Sequence, residues 1–114
     1  MNHSEADNPT RAKAADLFAA LANPTRLRIV ESLCLGPQTV SGIASQMQIG
    51  LSGASQHLSI LARAGVLVVE PHGTSRVYKV RGPRIDKILG LIFEFCHVHG
   101  LYGSESTEEE VDFE

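Results

Sequence analysis

The side chains best suited to chemistry lie along one stripe of a predicted helix. Ser52, Ser55, Gln56, Ser59 and Arg63 follow one another at helical spacing, so they share a face. Gln can pair with adenine through two hydrogen bonds, and Ser can bond to either type of base. A plain solvated face usually carries Glu and Lys pairs, whereas no acid occurs between positions 49 and 69. The stripe therefore indicates a surface that reads the bases of duplex DNA.

Residues around this stripe would complete the same surface. Gly53 lets the backbone come close to a phosphate, and His57 adds a ring that can form hydrogen bonds. The first backbone N–H groups of a helix also attract anions. Contacts to phosphate position a protein on DNA without reading its sequence. On the hairpin and just after it, such contacts are expected from His72, Arg76, Lys79 and Arg81.

Hydrophobic periodicity predicts the elements that hold these residues. Helices are expected at about residues 12–21, 24–35, 40–47, 53–64 and 83–100, and strands at about 66–70 and 76–80. The predicted fold class is mostly α with a small β-hairpin, in the order α-α-α-α-β-β-α. Helix, turn, helix and hairpin in this order are typical of a winged helix-turn-helix.

Capping residues mark the predicted helix ends. Asn23, followed by Pro24 at the first helical position, is a strong start signal. Thr39 and Ser52 are the predicted N-caps of the third and fourth helices. Gly65 would end the fourth helix in the left-handed conformation.

The chain divides into three predicted segments with different charge. They are a flexible arm over residues 1–11, the winged helix-turn-helix domain over 12–100 and an acidic tail over 101–114. The formal net charge is -3, but six of the thirteen acids lie in the last ten residues. The rest has seven acids against ten Lys and Arg, a net charge of +3 that suits a polyanion partner. The tail is either a solvated end or an electrostatic competitor for the DNA-facing surface.

Several classes of protein are disfavoured. No stretch is long enough to span a membrane and no secretory signal is present, so we expect a cytoplasmic protein without membrane contacts. A Gly-rich phosphate loop, a nucleophile elbow and an HExxH motif are all missing, so we expect neither an enzyme nor a required cofactor. A winged-helix module that docks proteins instead of DNA stays open as an alternative.

Four short motifs resemble those of the ArsR/SmtB family of transcriptional regulators. They are Ala22–Ile29, Ser55–Leu61, Ala64–Leu67 and Arg76–Tyr78. The resemblance covers about residues 13–99 and implies a winged-helix repressor that dimerises through its first and last helices. A two-fold dimer would read a pseudo-palindromic operator. The apolar excess of residues 85–95 fits such an interface.

Two metal sites recur in this family, and neither is matched in full. The Cys-Val-Cys motif of one site corresponds here to Thr39-Val40-Ser41, so both thiolates are missing. For the other site, in the last helix, Asp86 and His99 match two of four ligands. Ile88 and Tyr102 stand where the other two ligands belong. Two of four ligands make a poor site for a tetrahedral metal.

Other residues near the end of the last helix offer a different metal set. Cys96, His97 and His99 could bind Zn(II) or another borderline metal, because thiolate and imidazole ligands suit such ions. Cys96 and His99 share a helix face, whereas His97 and His99 do not. Alternatively, Cys96 is packed apolar surface and both histidines are solvated.

The two cysteines suggest a third kind of sensor. Some members of the family sense persulfide or oxidants through one cysteine in the second helix and one in the last. Cys34 and Cys96 lie in the corresponding predicted helices and are the only cysteines of the chain. The resemblance therefore favours a thiol switch at Cys34 and Cys96, with the metal set as the alternative.

Overall fold

A computed structural model describes residues 8–101 of the 114-residue chain. These residues form two compact units that divide between Pro83 and Arg84. The acidic tail and residues 1–7 of the predicted arm lie outside the described residues. The elements in chain order are α1 Pro9–Leu21, α2 Pro24–Leu33, β1 Gln38–Thr39, α3 Val40–Met47, α4 Leu51–Arg63, β2 Leu67–His72, β3 Ser75–Val80 and α5 Arg84–Val98.

Helix α1 begins earlier than predicted. Asn8 Oδ1 accepts a hydrogen bond from the backbone N–H of Thr10 at 2.7 Å, and Pro9 occupies the first helical turn. Asn8-Pro9 is therefore the same start signal as Asn23-Pro24. The prediction missed it because the residues just after Pro9 lack apolar periodicity. The predicted arm over residues 1–11 is wrong for Pro9–Arg11, which are helical.

The predicted caps of α2 and α3 are confirmed. Asn23 Oδ1 accepts a hydrogen bond from the backbone N–H of Arg26 at 3.0 Å. Thr39 Oγ1 accepts one from the backbone N–H of Gly42 at 3.1 Å. Each bond satisfies a backbone donor that has no partner inside its helix.

For α4, the predicted N-cap is wrong and the predicted C-terminal stop is confirmed. Ser52 was predicted as the N-cap, but α4 begins at Leu51 with Gly50 as the N-cap and no side-chain cap. Because Gly50 has an extended backbone and acts as the N-cap, the helix starts two residues earlier than predicted, and Ser52 lies inside it. Gly65 ends it as predicted, with φ of +93°. Its N–H donates to Ala62 O at 3.0 Å, within a Schellman arrangement.

The wing is a three-stranded antiparallel sheet with the order β1-β3-β2. Strands β2 and β3 form the predicted hairpin, with His72 opposite Ser75 and a two-residue turn between them. Gly73 enters that turn with φ of +65°, which glycine tolerates. Strand β1 was not predicted, because two residues are too few to show alternation. It pairs Gln38 with Tyr78 and so anchors the hairpin to the helices.

Apolar side chains of several helices form the core of the first unit. The fully buried ones include Ile29, Leu33, Ile43, Leu58 and Leu61. In α4, Ala54 is also fully buried, so Ala54, Leu58 and Leu61 form its inward stripe. In α2, Ile29 is fully buried and Leu27 only partly. Each large buried side chain contributes about 1.5–3 kcal/mol of transfer free energy, so this core fixes which face of α4 points outward.

A buried polar cluster joins α2, β1 and α3. Ser32 is the only buried polar residue among residues 8–101. Its Oγ donates to Gln46 Oε1 at 2.9 Å, and Gln38 Nε2 donates to Ser32 Oγ at 2.8 Å. These bonds satisfy a hydroxyl that would otherwise be costly to bury.

Helix α5 makes up most of what the structure describes of the second unit, and it is shorter than the predicted 83–100. Large apolar side chains project into solvent along its length, namely Ile88, Leu91, Ile92, Phe93, Phe95 and Val98. A contiguous apolar surface of this kind is typical of an interaction site.

Replacing glycine by alanine is expected to have opposite effects on stability at Gly53, inside α4, and at Gly65, just after its end. Gly65→Ala should lower the free energy of unfolding by about 1–2 kcal/mol, because Ala must adopt a left-handed φ. Gly53→Ala, inside the helix with open space at its Cβ position, should raise it by up to about 1 kcal/mol. Urea unfolding followed by circular dichroism measures both. Equal destabilisation by the two variants would contradict this assignment.

Candidate nucleic-acid interface

The predicted reading stripe lies on the outer face of α4. Ser52, Ser55, Gln56 and Arg63 are exposed, and Ser59 is partly buried. The core residues of the same helix lie on the opposite side, so the helix is anchored by one face and presents the other. The side chains of the stripe are therefore available for contact if the helix enters a DNA groove.

The start of α4 adds features that the sequence did not point to. The first turn has no side-chain cap, so no side chain at the N-cap accepts from its first backbone N–H groups. Leu51, the first residue of the helix, is 60% exposed beside Ser52. The sequence prediction did not single out this Leu, because the predicted helix began only after Ser52. Gly53 has open space around its Cβ position, which fits its predicted role in close approach.

His57 lies away from the reading stripe and contacts α2. Its Nδ1 is 3.3 Å from Nη1 of Arg26, and the side chain is partly buried. Burial, and then the positive charge of Arg26, lower the pKa of His57 below its ordinary value. The neutral ring is therefore favoured, and one of its nitrogens is already engaged within the protein.

The hairpin places two of the predicted phosphate-binding residues at its exposed end. His72 and Arg76 both lie next to the turn and are exposed. Pro71 opposes Arg76 on β2, which is an edge strand and can hold a residue without an N–H. The tip of the wing thus carries an exposed guanidinium, and the salt bridge found among the described residues does not involve it.

The other two predicted phosphate-binding cations already have partners within the protein. Lys79 Nζ lies 2.8 Å from Glu70 Oε2 across the hairpin, and this contact lowers the pKa of Glu70. Arg81 Nε donates to the backbone carbonyl of Gly65 at 2.8 Å. The latter bond ties the end of β3 to the end of α4, so Arg81 fixes the wing beside the helix.

Comparison with known proteins assigns a family to this arrangement. Residues 21–70 match the model of a helix-turn-helix domain. The HTH-type transcriptional regulator Rv0081 of Mycobacterium tuberculosis is 35% identical over 79 residues, which are 68% of each chain. The homodimeric winged helix-turn-helix DNA-binding domain of Mb0332 from Mycobacterium bovis, a possible ArsR-family transcriptional regulator, superposes with a TM-score of 0.76. That structure is 26% identical, and the match covers 89% of this chain and 92% of the other. The chain belongs to the ArsR/SmtB family.

The ArsR/SmtB assignment confirms the predicted winged helix-turn-helix and places the chain in a non-enzymatic family of DNA-binding regulators. A probable mercury resistance operon repressor of Streptomyces lividans is also similar, with 31% identity over 77 residues. That match covers 68% of this chain and 62% of the repressor. None of the described helices has the length and apolarity needed to span a bilayer.

At the position of the ArsR/SmtB thiolate motif, hydroxyl groups replace sulfur. Thr39 Oγ1 and Ser41 Oγ lie 3.3 Å apart and form a hydrogen bond with each other. Thr39 Oγ1 also caps α3, so it serves the fold there. Near the other end of the chain, the ring of His99 packs on Phe95 with 4.6 Å between centroids. Within residues 8–101 of a single chain, no three His, Cys, Asp or Glu side chains converge as a metal-binding group. The predicted set of Cys96, His97 and His99 is therefore not brought together.

Both cysteines have the partial exposure that a thiol sensor needs. Cys34 is the C-cap of α2, and Cys96 lies in the last turn of α5. Each side chain is intermediate between buried and exposed, and they belong to different units.

An open groove of about 340 Å³ lies between α1 and α4. Its lining residues are Asp16, Ala19, Ala20, Ile60, Arg63 and Ala64. Arg63 thus borders both the groove and the reading stripe. Sequence reasoning did not find the groove, because its two walls are separated by about forty residues.

The lowered pKa of His57 predicts a pH dependence of stability. Below about pH 6.5 the unfolded chain binds a proton at this ring more readily than the folded chain does. The contribution is therefore fully present above about pH 6.5 and is lost as the pH falls toward the lower, folded pKa. His57→Asn cannot titrate, so its free energy of unfolding should fall less than that of the parent between about pH 7.5 and 5. Identical slopes in urea titrations would contradict the assigned shift.

Proposed function

We propose that the chain is a homodimeric transcriptional repressor of the cytoplasm that binds a pseudo-palindromic duplex operator and releases it when an inducer reacts. The observation that carries the proposal is the polar stripe of α4, acid-free and charged only at Arg63, beside a wing whose tip presents Arg76. One α-helix fits the major groove of B-DNA, where every base pair has a distinct pattern of donors and acceptors.

In this proposal, the N-terminal half of α4 reads the bases. Gln56 is long enough for a bidentate pair with adenine, and Ser52 and Ser55 supply shorter donors and acceptors on the same face. The exposed apolar side chain of Leu51 suits contact with a thymine methyl group. Arg63, His72 and Arg76 would contact phosphates and set the register without specifying sequence.

The exposed apolar residues of α5 support dimerisation. The similar domain of Mb0332 is homodimeric, and a second copy would remove the same kind of surface from water here. A two-fold dimer presents two copies of α4 to half-sites about one helical turn of DNA apart. Similarity to a probable operon repressor supports repression as the sign of regulation.

Two substitutions separate base reading from phosphate contact. Gln56→Ala should weaken binding to the duplex selected by the parent protein by about 1–3 kcal/mol and leave binding to unrelated duplex unchanged. Arg76→Ala should weaken both and reduce the slope of log affinity against log salt by about 1. Fluorescence anisotropy over a salt series measures these quantities.

The matched control is Arg28→Ala, which removes another exposed arginine on α2, far in sequence from the stripe. Its affinity and salt slope should follow those of the parent. If the parent fails to bind duplex even at low salt, the domain serves protein docking and the proposed function is wrong.

For the inducer, we favour an oxidant or persulfide that reacts at Cys34 and Cys96. With hydrogen peroxide, the two thiols would lose two protons and two electrons, form one S–S bond and reduce the peroxide to two molecules of water. With a persulfide, the same S–S bond would form while the S–S bond of the persulfide breaks, releasing a thiol and hydrogen sulfide. The bond requires the two Cα atoms to approach within about 7 Å, in one subunit or between two. Its formation would link α2, or its symmetry mate, to the end of α5 and so strain the geometry that the operator selects.

Peroxide or persulfide treatment should abolish operator binding only when both thiols are present. Cys34→Ser, Cys96→Ser and the double variant should each bind the operator when reduced and keep binding after treatment. Anisotropy gives the affinity, and intact-mass measurement gives the loss of two hydrogens. A response to Zn(II) but not to oxidants, abolished by Cys96→Ser and His99→Ala, would favour the metal set of Cys96, His97 and His99 instead.

A further inference from the structure

One arginine side chain connects three helices beside the middle of α4. Arg26 belongs to the first turn of α2, where its backbone N–H is held by Asn23. Its Nε donates to the carbonyl of Ala20, near the end of α1, at 2.5 Å. Its Nη1 reaches Nδ1 of His57 on α4 at 3.3 Å. A single guanidinium thus links the end of α1 to α4.

The chemistry of this contact fixes the state of the imidazole. A guanidinium can only donate, so Nδ1 of His57 must accept, and the ring proton must reside on Nε2. The partial burial of His57 beside a permanent positive charge also favours the neutral ring. The contact is therefore directional in both partners, which distinguishes it from the apolar packing on the other flank of α4.

Apolar packing alone leaves the rotation of α4 loosely determined. The hydrophobic effect is non-directional, so Ala54, Leu58 and Leu61 anchor a face but not an exact angle. A rotation of about 20° moves a side-chain tip at a radius of about 6 Å by about 2 Å. Hydrogen bonds to a base tolerate only a few tenths of an ångström, because they weaken rapidly beyond their usual length. Reading by Gln56, the residue next to His57, thus depends on how the helix is held.

We propose that Arg26 is a positioning residue, which holds α4 through His57 at the rotation needed for its outer face to pair with bases. This inference rests on the proposed function, since it concerns how the same surface discriminates between sequences. It assigns Arg26 no contact with DNA.

The test is the ratio of two affinities measured on the full chain. One is for the duplex that the parent selects from a random pool, and the other is for an unrelated duplex of equal length. Partial unfolding lowers both by the same factor, so the ratio reports positioning and not stability. Arg26→Gln should reduce the ratio about three- to tenfold, the equivalent of one net hydrogen bond. Arg28→Gln, on the same helix, should leave it unchanged.

Two variants at position 57 make the matched pair. His57→Asn places an amide oxygen near the position of Nδ1 and should retain the parental ratio. His57→Leu has no acceptor and should behave as Arg26→Gln does. If His57→Asn instead lowers both affinities equally at unchanged stability, His57 contacts phosphate itself, and the positioning role is overturned.

A spectroscopic readout on the parent protein is independent of whether any variant folds. The ¹⁵N shifts of the His57 ring should show a proton on Nε2 and none on Nδ1. A proton on Nδ1 would overturn the inference. An unchanged affinity ratio for Arg26→Gln, despite a lower urea midpoint, would show that Arg26 is merely structural. Failure of the parent to bind any duplex would instead remove the proposed function, and the tautomer result would still stand.

Discussion

The commitment of one face of α4 to the core is the constraint on which the rest of the structure depends. Once Ala54, Leu58 and Leu61 are buried against residues such as Ile29 and Ile43, the opposite face must lie outside. Apolar burial fixes only the direction in which the polar stripe points. Two directional bonds, from Arg26 to the middle of the helix and from Arg81 to its C-terminal end, then connect it to α2 and to the wing.

Much of this arrangement could be predicted because its signals are local. Asn23-Pro24 and Thr39 acted as caps, Gly65 ended α4, and the apolar stripe of α4 was buried as expected. Asn8-Pro9 carries the same start signal as Asn23-Pro24, but the prediction followed apolar periodicity, which begins only after these residues. Ser52 failed as a cap because Gly50 could adopt the extended conformation itself.

What the sequence could not reveal depends on contacts between distant positions. Strand β1 exists only because β3 offers Gln38 and Thr39 a partner, and two residues carry no period of their own. His57 looked like part of the polar surface, yet Arg26, thirty-one positions earlier, draws it to the flank. Lys79 and Arg81 looked like free cations, but Glu70 and the carbonyl of Gly65 bind them. In each case the sequence shows the type of side chain but does not show which atom it contacts in the folded chain.

In the proposed function, different residues bind DNA and sense the inducer. Contacts to phosphate do not read sequence, so in the proposed function discrimination rests on hydrogen bonds from the uncharged side chains of α4. Such bonds weaken rapidly beyond their usual length, so a modest displacement of α4 would suffice for release in that proposal. Thr39 and Ser41, which the family resemblance aligns with a thiolate motif, carry hydroxyls that bond to each other instead. Cys34 sits at the end of α2, the helix whose first turn carries Arg26. A covalent change at Cys34 is therefore only about 12 Å along the helix axis from Arg26 and its contact with His57, within one rigid element.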